Sequence, residues 1–265
     1  VARRNEIEAY WEQPGTVSLL DSNLRRLEEE AVLRYLHRNM EFADLGCGGG
    51  ESTVRYAQAV KSCLALEQSS HLRERAQSRF TEAGLKNVDL VAGSVSDLSA
   101  YAGRFDGVLT QRVVINFLTW EEQQQVIQNV WSTLKPGGLY VMIENTFEGF
   151  ENLNSVRRAV GLTNIPLHWH NYFLHYPLLM DFVKDKFIVE NVHTFDLYYL
   201  LSRVFVNMFA KFEGYGASAR FDDIFQVSDP AARALFEAIG ERVSIRHSAG
   251  NSFGPIQVFI LRKIA

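Results

Sequence analysis

Residues 42–52 read FADLGCGGGES, a short apolar run followed by four glycines within positions 46–50 and then the start of a helical pattern. Glycine reaches backbone angles closed to other residues and lets a ligand approach the main chain. A strand that runs through such a turn into a helix presents backbone N–H groups to whatever binds there. The junction places the chain in the α/β class, because it is the opening unit of a parallel sheet with ligands at its carboxyl edge.

The unit then repeats. Strand-like runs at 42–45, 63–66, 88–91, 105–110 and 139–144 alternate with helix-like segments at 51–60, 70–83 and 121–134. A further helix precedes them, with Leu24, Leu27, Ala31, Val32, Tyr35 and Leu36 at helical spacing and Asp21 or Ser22 as its cap. LKPGG at 134–138 ends a helix and turns the chain into the next strand, since Pro136 cannot continue a helix. This βαβ series predicts a mostly parallel sheet with helices on both faces. After Glu144 the rhythm changes to a stretch rich in aromatics, histidine and asparagine. Strand patterns return at 187–197 and 256–261, separated by a helical 198–212, an irregular 214–229 and a short helix at 230–240. These last strands suit an antiparallel edge pair.

Which ligand the turn holds follows from what surrounds it. Gly46 and Gly48 match the first two glycines of the dinucleotide pattern G-x-G-x-x-G, but Glu51 stands where the third belongs. Asp44, just before the turn, suits a ligand with an ammonium and a sulfonium better than one with a pyrophosphate. Both marks favour S-adenosylmethionine over NAD. Glu67 ends the second strand where an acidic side chain binds ribose hydroxyls in either cofactor. No phosphate-binding G-x-x-x-x-G-K-[ST] occurs.

Taken in order, DLGCGGG, LEQ at 66–68, FDGVLT at 105–110 and LKPGGLYVMIE at 134–144 resemble the motifs of class I S-adenosylmethionine-dependent methyltransferases. The resemblance implies a Rossmann-like seven-stranded sheet with a reversed last strand. It places Asp44, Gly46 and Gly48 along the methionine moiety, Glu67 on the ribose and Gln68 beside the adenine. Ser94 and Val95 stand where the family commonly has an acidic residue for the adenine amino group, with Asp97 slightly later. Gln111 and Arg112 fall where the family contacts the cofactor, and Asn116 where it contacts the acceptor. The expected organisation is a single domain over 1–265, with a helical cap at 1–40, the cofactor core at 41–144 and acceptor-side insertions at 145–185 and 198–250. Tyr10 and Trp11 are expected to cap the cofactor.

A narrower similarity covers most of the chain. YWEQPGTVSLLDSNLRRLEEEAVLRYL, RVVINF at 112–117, HWHN at 168–171 and YYLLSRV at 198–204 look similar to methyltransferases of bacterial surface-polysaccharide gene clusters. That similarity implies a carbohydrate hydroxyl as acceptor and S-adenosylhomocysteine as product. A hydroxyl must lose a proton on methylation, and histidine is the side chain suited to take it near neutral pH. His170 is the first candidate, with Asn171 to orient it; His168 and the strand-end Glu144 are the others. Trp169 and Tyr172, with Phe173 and Tyr176, form a candidate stacking wall for the acceptor.

Composition narrows the alternatives. A net charge of −4 and a pI near 6.0 weigh against gripping a long nucleic acid. The N-P-P-[YF] signature of exocyclic amine methylation is absent from TQRVVINF. Methylation of a small natural product at oxygen or nitrogen, and a noncatalytic cofactor-binding module, stay open as alternatives. The His168/His170 pair has no evident third ligand, so no metal is expected. Cys47 and Cys63 are in no paired spacing, and neither a membrane-spanning stretch nor a signal pattern is evident, which points to the cytoplasm. The first residue is Val1 and not Met, which leaves a larger polypeptide, as well as a homo-oligomer, among the readings.

Overall fold

Alternation along the strands divides the apolar residues between two faces of one sheet. Leu139, Val141 and Ile143 join one buried cluster while Tyr140 and Met142 join another; near the chain end, Val258 and Ile260 are set against Phe259 and Leu261 in the same way. A computed structural model describes residues 2–16, 19–208, 221–240 and 252–265. Its strands are β1 (Glu41–Leu45), β2 (Ser62–Glu67), β3 (Val88–Ala92), β4 (Phe105–Gln111), β5 (Leu134–Asn145), β6 (Phe187–Thr194) and β7 (Ile256–Lys263). They form a seven-stranded sheet in the order β3-β2-β1-β4-β5-β7-β6. The first five pair in parallel, and β7 runs antiparallel to both β5 and β6. The Rossmann-like sheet with a reversed last strand is therefore present.

The helices are α1 (Ala2–Trp11), α2 (Ser22–Leu33), α3 (Thr53–Ala59), α4 (Ser70–Glu82), α5 (Trp120–Thr133), α6 (Phe147–Ala159), α7 (Tyr176–Val183), α8 (Asp196–Tyr199) and α9 (Phe221–Leu235). α8 runs on into a π-helical stretch Leu200–Phe205. One sheet face packs against Leu24 and Leu27 of α2, Tyr56 of α3, Leu153 of α6 and Tyr198 of α8. The other packs against Val126 and Val130 of α5 and Leu179 and Val183 of α7. Asp21 caps α2, accepting from Leu24 N at 2.9 Å.

Several expected boundaries shift. β5 starts at Leu134, so LKPGG opens the strand irregularly, with Gly137 at φ 71°, and does not precede it. The expected strand at 187–197 stops at Thr194, where Phe195 turns the chain into α8. α6 fills part of the segment after Glu144. Residues 221–229, expected to be irregular, are helical, and Pro230 lies inside α9 instead of starting a helix. The remainder of the expected insertion at 198–250, over 209–220 and 241–250, lies outside the described residues. At the sheet edge the β6–β7 register shifts between Val189 and Asn191, and the skipped Glu190 pairs with Arg262 at 2.8 and 3.0 Å.

Candidate active site

At the carboxyl ends of β1, β2 and β4 the structure holds a cleft, partly open to solvent, to which α1 contributes Arg4, Ile7 and Trp11. Its floor is the glycine turn. Gly46 N and Cys47 N donate to Leu66 O, fastening the turn to β2. Gly46 has φ 78°, and a Cβ there would lie 2.5 Å from Val113 Cγ2, so both backbone angle and space require glycine. Glu51, in place of a third glycine, pairs with Arg75 and Arg79 at 3.2 and 3.1 Å and ties the turn to α4.

Two carboxylates face the cleft. Asp44 is buried and accepts from Thr53 Oγ1 at 2.7 Å; burial pushes its pKa up to about 7. Glu67 accepts from Gly48 N at 2.9 Å and from Ser69 N at 2.8 Å, and burial raises its pKa too. Gln68, Ser94 and Val95 line the far end with Leu72 and Phe117. Asp97 does not; its Oδ1 accepts from Ser99 N and Oγ at 3.1 and 2.7 Å and caps a short turn.

The loop after β4 closes the near end. Gln111 Nε2 and Arg112 Nη1 donate to Glu28 of α2 at 2.6 and 2.7 Å, and Glu28 is fully buried. Both donors line the cleft, and Arg112 Nε is buried with no hydrogen-bond partner. Arg112 also has φ 55°, a left-handed backbone unusual for a side chain of its size. Glu28 had a signal in the sequence: it is four residues from Leu24 and three from Ala31, on the inward face of α2.

Three expected placements differ. Glu144 does not line the cleft. It is fully buried, and its carboxylate accepts from Val113, Val114 and Ile115 N at 3.0, 2.9 and 3.3 Å. Burial raises its pKa to about 7. A carboxylate spent on backbone amides shapes the loop and has no free face for an acceptor. Tyr10 is not among the residues that line the cleft; Arg4, Ile7 and Trp11 are the α1 residues that do. Asn116 lines the cleft itself and accepts from Trp11 Nε1 at 3.3 Å.

Residues 168–172 form a ring cluster beside α1. His170 is buried and stacks on Tyr10 at 4.4 Å, with His168, Trp169 and Trp11 rings 5.6, 5.4 and 5.9 Å away. Desolvation and the neighbouring His168 lower its pKa, and its Nδ1 has no hydrogen-bond partner. Trp169 and Tyr172 are 52% and 38% exposed. Asn171 donates its backbone N–H to His168 O at 3.1 Å, closing the turn that carries His170. Phe173 is buried against Phe150 at 5.2 Å, and Tyr176 packs beside Phe259 at 6.1 Å, so neither belongs to an open wall. Among the described residues no group of three histidine, cysteine or acidic side chains is placed to hold a metal ion.

The sequence profile of a methyltransferase domain matches residues 42–138, from the first strand to the glycines of β5. Residues 42–138 carry a methyltransferase domain. An uncharacterized methyltransferase of Synechocystis sp. is 34% identical over 101 residues, covering 38% of this chain and 45% of that protein. The chain spans roughly half the length of the curated relatives it matches, from 45% to 60%. In fold, the methyltransferase domain and the rest of the chain resemble the N-methyltransferase NodS from Bradyrhizobium japonicum in complex with S-adenosylhomocysteine. The TM-score is 0.57 at 12% identity, over 99% of this chain and 98% of that one. The [4+2]-cyclase SpnF is as close, with TM-score 0.58, 18% identity, and coverage of 100% and 92%.

The residues of the methyltransferase domain fit S-adenosylmethionine. Gly48 N–H, which a dinucleotide cradle would offer to phosphate, is already taken by Glu67, and Asp44 adds a second carboxylate to the floor. Two acids beside an occupied amide repel a pyrophosphate and attract a cation.

Proposed function

We propose that this chain transfers a methyl group from S-adenosylmethionine to a hydroxyl of a carbohydrate, either a surface polysaccharide or its sugar precursor. The acidic glycine turn carries the methyl-transfer reading. Asp44 would hold the cationic end of the cofactor, Glu67 the ribose hydroxyls, and Val95, Leu72 and Phe117 the adenine. Bound there, S-adenosylmethionine supplies a methyl group on a sulfonium, already activated for displacement. Arg112 Nε is a free donor for the methionine carboxylate or for an acidic acceptor.

The acceptor reading rests on the ring cluster. Trp169 and Tyr172 are exposed aromatic residues close in sequence to His170, the kind of side chain on which a sugar ring stacks. His170 would accept the hydroxyl proton. Its lowered pKa keeps the imidazole neutral near pH 7, its Nδ1 is unpartnered, and its ring lies 5.9 Å from that of Trp11, which lines the cleft. Cys47 and Cys63 are both free thiols, which supports a reducing, cytoplasmic setting.

The test is an acceptor screen with methyl-labelled cofactor against monosaccharides, nucleotide sugars, short glycans, and natural-product phenols and amines. Label in a sugar pool is the expected outcome. Label confined to phenols or amines transfers the reading to small-molecule methylation; binding of S-adenosylhomocysteine with no label in any pool favours the noncatalytic module. On the accepted substrate, His170→Ala is expected to lower kcat by about a hundredfold with cofactor affinity unchanged. Full turnover in that variant would remove His170 from the chemistry.

A further inference from the structure

Opposite charges reach the cleft from different elements. Asp44 and Glu67 come from the strand ends beside the glycine turn, and the guanidinium groups of Arg4, Arg25 and Arg112 from α1, α2 and the loop after β4. Arg4 is already engaged, paired with Glu8 at 3.2 Å and seated over the Phe117 ring at 4.1 Å. Arg25 donates to Leu19 O and meets no carboxylate among the described residues. Arg112 is held at three points. Its N–H donates to Ile143 O at 2.8 Å, its carbonyl accepts from Asn116 Nδ2 at 2.7 Å, and its Nη1 donates to Glu28 at 2.7 Å. These bonds keep it at φ 55°, a backbone strain that folds retain where a residue's placement serves a site. Arg112 is only 9% exposed, yet its Nε has no partner. A buried donor left unpaired is costly, which marks a place for a ligand oxygen.

The loop that carries Arg112 is joined to the segment that carries His170. Tyr172 N donates to Ile115 O at 2.7 Å, and Gln123 Nε2 binds the carbonyls of Val114 and Tyr172 at 3.4 and 2.7 Å. Asn116 accepts from Trp11, whose ring lies 5.9 Å from that of His170. S-adenosylmethionine brings one carboxylate to a cleft with two guanidinium groups free to meet it. Arg25, which has no acid of its own, answers that charge, and Arg112 is left for the acceptor. We propose that Arg112 binds an anionic group on the acceptor, a carboxylate or a phosphate, and that Glu28 is the positioning residue that aims it. Glu28 is fully buried and divides its two oxygens between Gln111 Nε2 and Arg112 Nη1, so the guanidinium is held by one nitrogen while Nε stays available. It also supplies the counter-charge that lets an arginine remain buried before the acceptor arrives. Guanidinium matches carboxylate and phosphate alike. The acceptor is then an acidic sugar or a sugar phosphate, and a neutral sugar is a poor one.

The proposal rests on the methyl-transfer reading, and the experiment separates the two. S-adenosylhomocysteine is titrated into the whole chain by calorimetry. Acetate, inorganic phosphate and, as the neutral control, glucose are then added to the S-adenosylhomocysteine-saturated protein while the Arg112 Nε–H is followed by NMR. In the parent protein one or both anions are expected to move that signal saturably and glucose to leave it in place; acetate alone assigns a carboxylate, phosphate alone a phosphate ester. Arg25→Gln is expected to weaken S-adenosylhomocysteine about tenfold, and Arg112→Lys by less than about twofold. Glu28→Gln is expected to weaken the anion about tenfold at unchanged S-adenosylhomocysteine affinity. Glu28→Asp keeps the charge but withdraws it by one methylene, is expected to act in the same direction, and serves if the glutamine variant does not fold. No binding of S-adenosylhomocysteine overturns the cofactor reading and the anion subsite with it. Cofactor binding that falls about tenfold in Arg112→Lys gives Arg112 to the methionine carboxylate and overturns the subsite alone. A parent signal that neither anion moves, or that glucose moves equally, also overturns it, and parental anion affinity in the folded Glu28 variants overturns the positioning role.

Discussion

Asp44 is the residue on which cofactor affinity should turn. Its pKa of about 7 means that near neutrality much of the ligand-free protein carries a protonated Asp44, and a cationic ligand binds the ionised form. Affinity for S-adenosylhomocysteine, whose ammonium is retained, is expected to rise about tenfold between about pH 6 and about pH 8, with net proton release in calorimetry. Asp44→Asn should bind more weakly and lose the pH dependence; an equal slope in the variant would assign the proton elsewhere. Asp44 and Glu67 were legible because each stands at a strand end beside the glycine turn. Glu28 was not read as part of the site, although its helical position turned it inward, because a buried acid is recognisable only once its donors Gln111 and Arg112 are in place. Glu144 shows the opposite failure. Its strand-end position was read correctly, but the short turn Val114–Asn116 that folds over it comes from another part of the chain.

Among the elements, α6 depends on a close approach. A Cβ at Gly149 would overlap the carbonyl of Gly254, and one at Gly254 would overlap the Tyr199 ring of α8. Alanine at a helix interior ordinarily stabilises by about 0.5–1 kcal/mol over glycine, whereas forcing atoms into a packed contact costs about 1–3 kcal/mol. Overlap with backbone wins, so Gly149→Ala is expected to lower stability in urea melts in spite of its better helix propensity; a rise would show that α6 can slide. The strands β1 to β5 were readable from alternation. α6 was not, because Asn154 and Arg157 occupy its inward face, where Asn154 binds Ile165 N and O and Arg157 binds Thr163 O, so the apolar stripe is interrupted. In α9, Pro230 carried its usual meaning of a helix start and misplaced the boundary.

For the molecule as a whole, buried acids set the response to pH. Asp44, Glu144 and Glu67 have pKa values raised by burial, so the fold holds their protons to higher pH than the unfolded chain does. Their contribution is full below the ordinary carboxylate range and is lost as pH rises, for Asp44 and Glu144 through about 7. His170, with its pKa lowered, works the other way over part of that window, against the raised values of Asp44, Glu144, Glu67 and Asp229. Exposed acids with lowered values, such as Glu41 and Glu190, act only below it. The ligand-free protein is expected to melt at a higher temperature near pH 5.5 than near pH 8, and S-adenosylhomocysteine to narrow the difference; a Tm that climbs with pH would refute the account.

The sheet's outer strand has a consequence for the chain in a crowded solution. β6 is the last strand of the sheet among the described residues, with Ile188 59% exposed, and an edge strand is where a second copy could add a strand. The irregularity at Glu190 breaks that edge halfway. An incoming strand that matched the residues before it would be out of step after it, at the point where Glu190 pairs with Arg262. The slip in register that looks like an imperfection of the ladder is what makes the edge a poor template for fibrous association.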